Sequence, residues 1–154
     1  MPGSSRVDGL RRIYARNCEA RRISKSVSGP FLAANHRLGD TFCRYSYGLF
    51  HDGELVAVAG FSGPRTWKKG DAAIRSYEWV RYASLEGLGV DGGMGKLLKA
   101  FINEVHPDDV MSYADASWSD GDVYRKLGFE EEEAKVFPDG RKSLKFRLKL
   151  TGYE

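Results

Sequence analysis

Two stretches near the middle of the chain, residues 45–50 and 55–61, are largely apolar and have the length of strands. The residues between them include Asp52-Gly53, a dipeptide typical of hairpin turns. A third stretch, residues 76–84, is rich in Tyr, Trp and Val and predicts another strand. The pattern therefore predicts three antiparallel strands at the centre of the fold.

The apolar spacing becomes helical after residue 92. Apolar side chains then recur at three- and four-residue intervals on one helix face: Leu97, Leu98, Phe101, Ile102 and Val105. Pro107 stops this pattern, because proline lacks the amide proton that a helix interior needs. A helix over residues 92–105 is predicted.

The remaining segments are shorter. A ragged alternation predicts a first strand within residues 11–23, and Pro30 suits the first position of a short helix over 30–35. The other predicted elements are a strand over 110–115, a short helix over 122–127 ended by Gly128, and two terminal strands at 136–137 and 143–150. Residues 1–10 are interpreted as a flexible leader, 24–29 as a turn and 66–75 as a polar loop.

This order of elements predicts a mixed α/β (α+β) sheet that carries helices. With 154 residues, of which 42% are hydrophobic, the chain can bury one core, so residues 11–154 are interpreted as a single domain. No apolar window reaches the roughly 18 residues of a membrane span, and the N-terminus lacks a secretory signal. Cys18 and Cys43 are isolated thiols, which favours a cytoplasmic protein.

The net charge is only +3, but basic residues gather at both ends of the chain. The first group is Arg6, Arg11, Arg12, Arg16, Arg21, Arg22 and Lys25, and the second is Arg141, Lys142, Lys145, Arg147 and Lys149. An acidic run, Glu130 to Glu133, precedes the second group. Such ends attract the phosphate backbone of DNA. The alternative interpretation is that these basic groups bind nothing and form only a solvated strand face and a loose tail.

A glycine-rich turn joins the central strands to the long helix: Val90, Asp91, Gly92, Gly93, Met94, Gly95 and Lys96. Glycines let the backbone curl and present its N–H groups outward. The helix N-terminus adds a partial positive charge and Lys96 a full one, which together suit a phosphate or pyrophosphate. A plain loop between a strand and a helix is the alternative. The turn matches neither the Walker loop nor the dinucleotide fingerprint.

A second segment, Tyr124-x-x-x-Gly128-Phe129, follows about 30 residues later. In this order and spacing the two segments resemble the acyl-CoA motifs of the GNAT (N-acetyltransferase) superfamily. The resemblance implies the GNAT fold, with a mostly antiparallel central sheet and helices on both faces. It also implies acetyl-CoA or another acyl-CoA as cofactor, bound at Val90 and at Gly92 to Lys96. Val90 departs from the family, which usually has Arg or Gln there.

A narrower resemblance covers most of the chain. It is carried by residues 17–19, 31–36, 47–50, 61–65, 77–81 and 112–119. These segments are similar to phage-borne GNAT-like proteins related to Mom-type DNA modification enzymes, which modify the exocyclic amine of adenine. The resemblance implies DNA as the acceptor, which the basic ends would suit.

Four residues are candidates for catalysis. Tyr124 would protonate the leaving thiolate, and Asp115, at the end of a strand, would act as a base. Arg81 would bind substrate or cofactor, and His36 would be a second base. Three of them have a structural alternative: packing for Tyr124, a turn cap for Asp115 and an ion pair with another acid for Arg81. The alternative for His36 is a metal site shared with Asp115; a metal is possible, but these two residues alone do not make a ligand set.

The roles of two further residues, Glu78 and Trp118, depend on their surroundings in the fold. Glu78 and Arg81 lie three apart in one strand and so point to opposite faces, which excludes a direct ion pair and requires other partners. Trp118 would either stack on a base or be buried.

Two functions remain open from the sequence. The first is an acyl-CoA-dependent N-acyltransferase acting on an amine, favoured as a nucleobase over a small metabolite or a protein lysine. The second is a non-catalytic nucleic-acid-binding or phage accessory module with the same fold, which the loss of Arg or Gln at Val90 favours.

Overall fold

A computed structural model describes residues 5–7, 10–115 and 121–151, with side chains over 11–114 and 121–151. The chain divides into two compact units. Unit 1 comprises Met1–Ser62 and Val80–His106, and unit 2 comprises Gly63–Trp79 and Pro107–Glu154. Trp118 lies outside the described residues.

The secondary structure of unit 1 consists of strands, a short 3-10 turn and two long helices. In chain order these are β1 (Ser5–Val7), β2 (Leu10–Tyr14), a 3-10 turn (Ala15–Asn17), β3 (Glu19–Arg22), α1 (Lys25–Asn35), β4 (Tyr45–His51), β5 (Glu54–Phe61), the end of β7, β8 (Leu88–Asp91) and α2 (Gly93–Val105). Strand β7 as a whole spans Ala72–Ser84, and its residues from Val80 on belong to unit 1. Ser5–Val7, within the segment interpreted as a leader, pair antiparallel with β2.

Unit 1 contains two groups of hydrogen-bonded strands. One has the order β7-β5-β4-β3, in which β3, β4 and β5 pair antiparallel. The other has the order β1-β2-β8, with β2 and β8 parallel. The hairpin predicted at residues 45–61 is confirmed, with Tyr45 opposite Phe61. Its turn places Asp52 and Gly53 at positive φ, as Asp-Gly hairpins require.

The two helices pack on opposite faces of β5. Val58 packs with Phe31 and Leu32 of α1, whereas Phe61 stacks on Phe101 of α2 with ring centroids 4.0 Å apart. Residues 58 and 61 have opposite parity in the strand and therefore face opposite sides. Unit 1 thus has a sheet with helices on both faces.

Helix α1 begins at Lys25, before the predicted start at Pro30, and so includes residues that were interpreted as a turn. The prediction was wrong because Gly29 and Pro30 disfavour a helix interior. Burial of Ser28, Phe31 and Leu32 on one helix face outweighs that local preference.

The secondary structure of unit 2 consists of strands and one short helix. In chain order these are β6 (Arg65–Lys69), the first part of β7, β9 (Asp109–Asp115), α3 (Asp122–Lys126), β10 (Glu130–Val136) and β11 (Lys142–Lys149). The order is β10-β11-β9-β7, and β6 pairs antiparallel with β7. Strands β7 and β9 are parallel, and the other pairs are antiparallel. The mixed, mostly antiparallel sheet predicted from the sequence is confirmed.

Two predictions in unit 2 were wrong. Residues 66–75 form a hairpin of β6 and the start of β7 rather than a loop, because strand pairing holds them although β6 is exposed throughout. The strand predicted at residues 136–137 instead spans Glu130–Val136 and includes the acidic run, because backbone pairing with β11 overrides the low strand propensity of Glu.

Unit 2 also buries a charge. The Asp109 side chain is fully buried, accepts a hydrogen bond from Ser76 Oγ, and lies 2.9 Å from Nη1 of Arg147. Arg147 also donates from Nε to Glu132 at 2.9 Å. A buried carboxylate is tolerated only with such partners. Among the helices in the described part of the chain, none has the length and hydropathy that crossing a lipid bilayer demands.

Candidate functional site

The glycine-rich turn lies in unit 1, between the end of β8 and the start of α2. Gly92 precedes the helix in a left-handed conformation, with φ of 78°. The helical bond from Lys96 N to Gly92 O (3.0 Å) closes the first turn. The amide groups of Gly93, Met94 and Gly95 come before that bond, so the helix does not use them. Three consecutive N–H groups therefore stand at the positive end of the α2 dipole, which is the arrangement that binds a phosphate.

Gly93 is buried and lies against the hydroxyl of Tyr82, a half-buried residue. A Cβ atom added at this position would lie 2.6 Å from Tyr82 Oη and 3.2 Å from Val90 Cγ1. No side chain fits there, so the turn depends on glycine for space as well as for shape. Burial, reinforced by the charge of Cys18, raises the pKa of Tyr82 to about 12, so its hydroxyl stays protonated at neutral pH. Sequence reasoning missed Tyr82, because nothing in residues 76–84 indicates which side chain contacts the turn.

Lys96 does not extend from the turn as a free cation. Its ammonium donates to the carbonyl oxygen of Ala15 at 2.9 Å and to that of Cys18. These carbonyls belong to the 3-10 turn and to the residue that follows it. Burial raises the pKa of the Cys18 thiol, and the nearby charge of Lys96 opposes that shift. Lys96 thus ties the turn to the N-terminal segment, and a phosphate at the turn would be bound mainly by backbone amides.

The structure places His36 and Arg81 near each other in unit 1. Arg81 donates from Nε to the carbonyl of Gly39 (3.0 Å) and from Nη1 to that of Val80 (3.2 Å). Burial, together with the charges of Arg81 and Arg37, lowers the pKa of His36 and keeps its imidazole neutral at pH 7. The amide of Leu38 donates to His36 Nδ1 at 2.9 Å, which leaves the ring proton on Nε2. In this state His36 offers a hydrogen-bond donor.

In unit 2, Asp115 and Tyr124 lie on neighbouring elements. Asp115 is the last residue of β9, and its backbone is opposite Ser143 of β11. Tyr124 lies in α3, and its hydroxyl is 2.9 Å from Ser112 Oγ, which lies 3.1 Å from the carbonyl oxygen of Trp79.

The Tyr124 ring packs among aromatic side chains of the same unit. It meets Trp79 and Phe129 edge to face and stacks on Phe146. Burial raises the pKa of Tyr124, while its bond with Ser112 opposes the shift. The phenol therefore remains a proton donor at neutral pH. Sequence reasoning missed Ser112, because a serine within a strand carries no distinguishing signal.

Glu78 and Arg81 each have a partner elsewhere in their own unit. Glu78 lies 3.4 Å from the guanidinium of Arg65 on β6, and Arg81 binds the carbonyls given above. Over the ranges that the structure describes, His, Cys, Asp and Glu residues form no group of three or more that could hold a metal ion.

Comparison with solved protein structures identifies the fold. No protein-family model matches the sequence, and no curated protein sequence matches it significantly. Solved structures of acetyltransferase fold do match. A GNAT-family acetyltransferase from Streptococcus pneumoniae superposes with a TM-score of 0.59 at 9% identity, over 87% of this chain and 99% of its own.

Two further structures agree. An N-acyl amino acid synthase from uncultured soil microbes gives a TM-score of 0.59 at 13% identity, over 86% of this chain and 91% of its own. A putative streptothricin acetyltransferase from Bacillus anthracis, solved in complex with acetyl coenzyme A, gives 0.51 at 10% identity, over 73% of this chain and 65% of its own. The chain therefore has the GNAT fold, as its sequence motifs predicted.

Proposed function

We propose that the protein is an acyl-CoA-dependent N-acyltransferase whose acceptor is an amine on a nucleobase of DNA. The observation that carries the proposal is the N-terminus of α2, where the amide groups of Gly93, Met94 and Gly95 precede the first helical hydrogen bond and suit an anion such as a pyrophosphate. The fold supports it, since a structure with the same fold was solved with acetyl coenzyme A.

Different residues of the chain would then have separate roles in the acyl transfer. The amides of Gly93 to Gly95 bind the pyrophosphate, and acyl-CoA supplies a thioester as the acyl donor. The acceptor amine forms a bond to the acyl carbon as the carbon–sulfur bond breaks. Asp115 receives the proton that the amine loses, and Tyr124 gives its phenolic proton to the departing sulfur. Arg81 and the Nε2 proton of His36 orient the acceptor by hydrogen bonds.

The acyl-CoA half of the proposal is tested by calorimetry with acetyl-CoA. Met94→Glu places a carboxylate in the first turn of α2, where it stabilises the helix but repels a pyrophosphate. We expect affinity to fall at least tenfold without loss of thermal stability. Asn103→Glu, the same change of charge near the exposed C-terminal end of α2, is the matched control and should bind normally. Absence of any heat with the wild type at millimolar acetyl-CoA would remove the acyl donor from the proposal.

The acceptor half is tested by mass spectrometry of nucleosides from DNA of cells expressing the protein. We expect an acyl-derived mass increase on one nucleoside with the wild type and none with Tyr124→Phe. An unmodified profile with the wild type, alongside normal acetyl-CoA binding, would direct the search to small-molecule or protein amines.

A second function, a nucleic-acid-binding module without turnover, is favoured by two observations. Val90 stands where the family usually has Arg or Gln, and the Lys96 ammonium is bound to backbone carbonyls. Both reduce the positive charge available to a pyrophosphate. Binding of DNA without any effect of acyl-CoA on stability or affinity would support this module over the transferase.

A further inference from the structure

The hairpin formed by β6 and the start of β7 is exposed to an unusual degree. All five residues of β6 are exposed, and on the partner strand Ala72, Ala73 and Arg75 are exposed as well. The two strands are held in register, with Trp67 opposite Ile74 and Lys69 opposite Ala72 around the turn at Gly70. The hairpin is therefore a two-stranded ribbon with a defined backbone.

Basic side chains dominate this ribbon. Residues 65–75 include Arg65, Lys68, Lys69 and Arg75 against one acid, Asp71. Arg65 lies 3.4 Å from Glu78, but over the described ranges the side chain of neither Lys68 nor Lys69 makes an ion pair or hydrogen bond. Adjacent strand residues point to opposite sides, so Lys68 and Lys69 place one ammonium on each face of the ribbon.

The basic ends of the chain differ from the hairpin, because acids within the same unit neutralise much of their charge. In unit 2, Arg147 pairs with Asp109 and Glu132, Lys145 with Glu132, and Arg141 with Asp139.

Three arginines of the N-terminal group in unit 1 are also paired with acids. Arg12 lies near Asp91, Arg21 near Glu19, and Arg22 near Glu104. At these positions a phosphate chain would have to displace a carboxylate, whereas the side chains of Lys68 and Lys69 form no ion pair within the described ranges.

Trp67 adds an apolar surface to the same element. It is 38% exposed and shares one side of β6 with Arg65 and Lys69, since residues two apart face the same way. The face of the ribbon that carries Lys69 therefore combines cations with a large aromatic surface.

We propose that this hairpin binds duplex DNA, with the ribbon in the major groove and Lys68 and Lys69 contacting phosphates on its two sides. The major groove of B-form DNA, about 12 Å wide, admits a two-stranded ribbon, whereas the deep, narrow major groove of duplex RNA does not. The choice of DNA rests on the proposed function. The binding itself does not require acyl transfer.

The test is fluorescence anisotropy of the full chain with a labelled 20-base-pair DNA duplex over a range of salt concentrations, without acyl-CoA. The test variant is Lys68→Gln/Lys69→Gln. The matched control is Lys99→Gln/Lys142→Gln, which removes two exposed lysines from α2 and β11. Both variants lower the net charge from +3 to +1, so they differ only in where the charge is lost. Unchanged circular dichroism and melting temperature establish that each variant is folded.

We expect the hairpin variant to lose about 10- to 100-fold in affinity at ~0.1 M salt and about 2 units of the log–log salt slope, the value for two phosphate contacts. The control should lose no more than about threefold. Equal losses in both variants, or no binding by the wild type, would overturn the proposal. Tighter binding of single-stranded DNA or duplex RNA than of duplex DNA would also overturn it. Duplex binding that depends on the hairpin while cellular nucleosides stay unmodified would refute acyl transfer to DNA and leave this surface intact.

Discussion

The glycine-rich turn of unit 1 and the aromatic surroundings of Tyr124 in unit 2 present two different ways of building a candidate site. In the turn, the backbone is the binding group, and its shape depends on Gly92 and on the space that Tyr82 leaves for Gly93. Around Tyr124, one side-chain oxygen is the candidate group, and packing against Trp79 and Phe146 positions it.

The contrast predicts how each region responds to substitution. A backbone site is damaged through crowding, so a change in the neighbour that does the crowding can restore it. A side-chain site is damaged when its one reactive atom is removed, and no neighbour can replace that atom. The three predictions below test this difference, beginning with the largest effect.

Tyr124→Phe removes the candidate proton donor and keeps the ring. Under the proposed function we expect kcat to fall by about 10²- to 10⁴-fold with little change in KM, because general acid catalysis contributes on that scale. The free energy of unfolding should fall by only about 1 kcal/mol, the value of one hydrogen bond with Ser112. Steady-state kinetics and urea unfolding measure the two effects. Tyr113→Phe, on an exposed ring of β9, is the control; wild-type turnover in Tyr124→Phe would leave Tyr124 with a packing role alone.

Gly93→Ala forces a methyl group against Tyr82 Oη, 2.6 Å from where its carbon would stand. We expect the free energy of unfolding to fall by about 1–3 kcal/mol, as for other overpacked sites. Tyr82→Phe removes that oxygen, so the double variant should be less destabilised than the sum of the two single changes. Urea unfolding of all four proteins gives the coupling energy. Strict additivity would show that the Tyr82 hydroxyl does not crowd the turn.

The smallest predicted effect concerns alkaline pH. The pKa of Tyr82 is raised to about 12 in the folded protein, so above pH 10 an unfolded chain loses this proton while the folded one keeps it. The unfolded state then binds fewer protons, and stability declines as pH rises through that window. Each pH unit costs about 1.4 kcal/mol from this residue. Urea unfolding at pH 10 and pH 11 should show a smaller decline in Tyr82→Phe; an identical decline would mean that burial of this phenol is not linked to folding.

Local sequence signals predicted the parts of the fold that depend on neighbours in the chain. Asp52-Gly53 marked the hairpin of β4 and β5, and the apolar spacing from Leu97 marked α2. Pairing between distant segments could not be predicted in this way. Strand β8 gains its partner β2 from about 75 residues earlier, and β6 is exposed on both faces, so neither has an alternation that indicates its structure.

The candidate site shows the same division. The conformation of the turn follows from Gly92 and Gly93, which the sequence displays directly. The two carbonyls that bind Lys96 belong to Ala15 and Cys18, so the sequence showed a cation at the turn but not where its hydrogen bonds go. The roles proposed for His36, Arg81, Asp115 and Tyr124 remain predictions for the experiments above.

The bonds of Lys96 also limit what can be moved by protein engineering. A cassette of residues 90–96 grafted onto another scaffold would carry the glycines but leave behind the carbonyls of Ala15 and Cys18 and the β2 strand that pairs with β8. The transplanted lysine would then be a flexible surface cation, and the loop would lose its anchor. The smallest portable unit therefore has two pieces, residues 10–18 and 88–105, which a chimera must supply together.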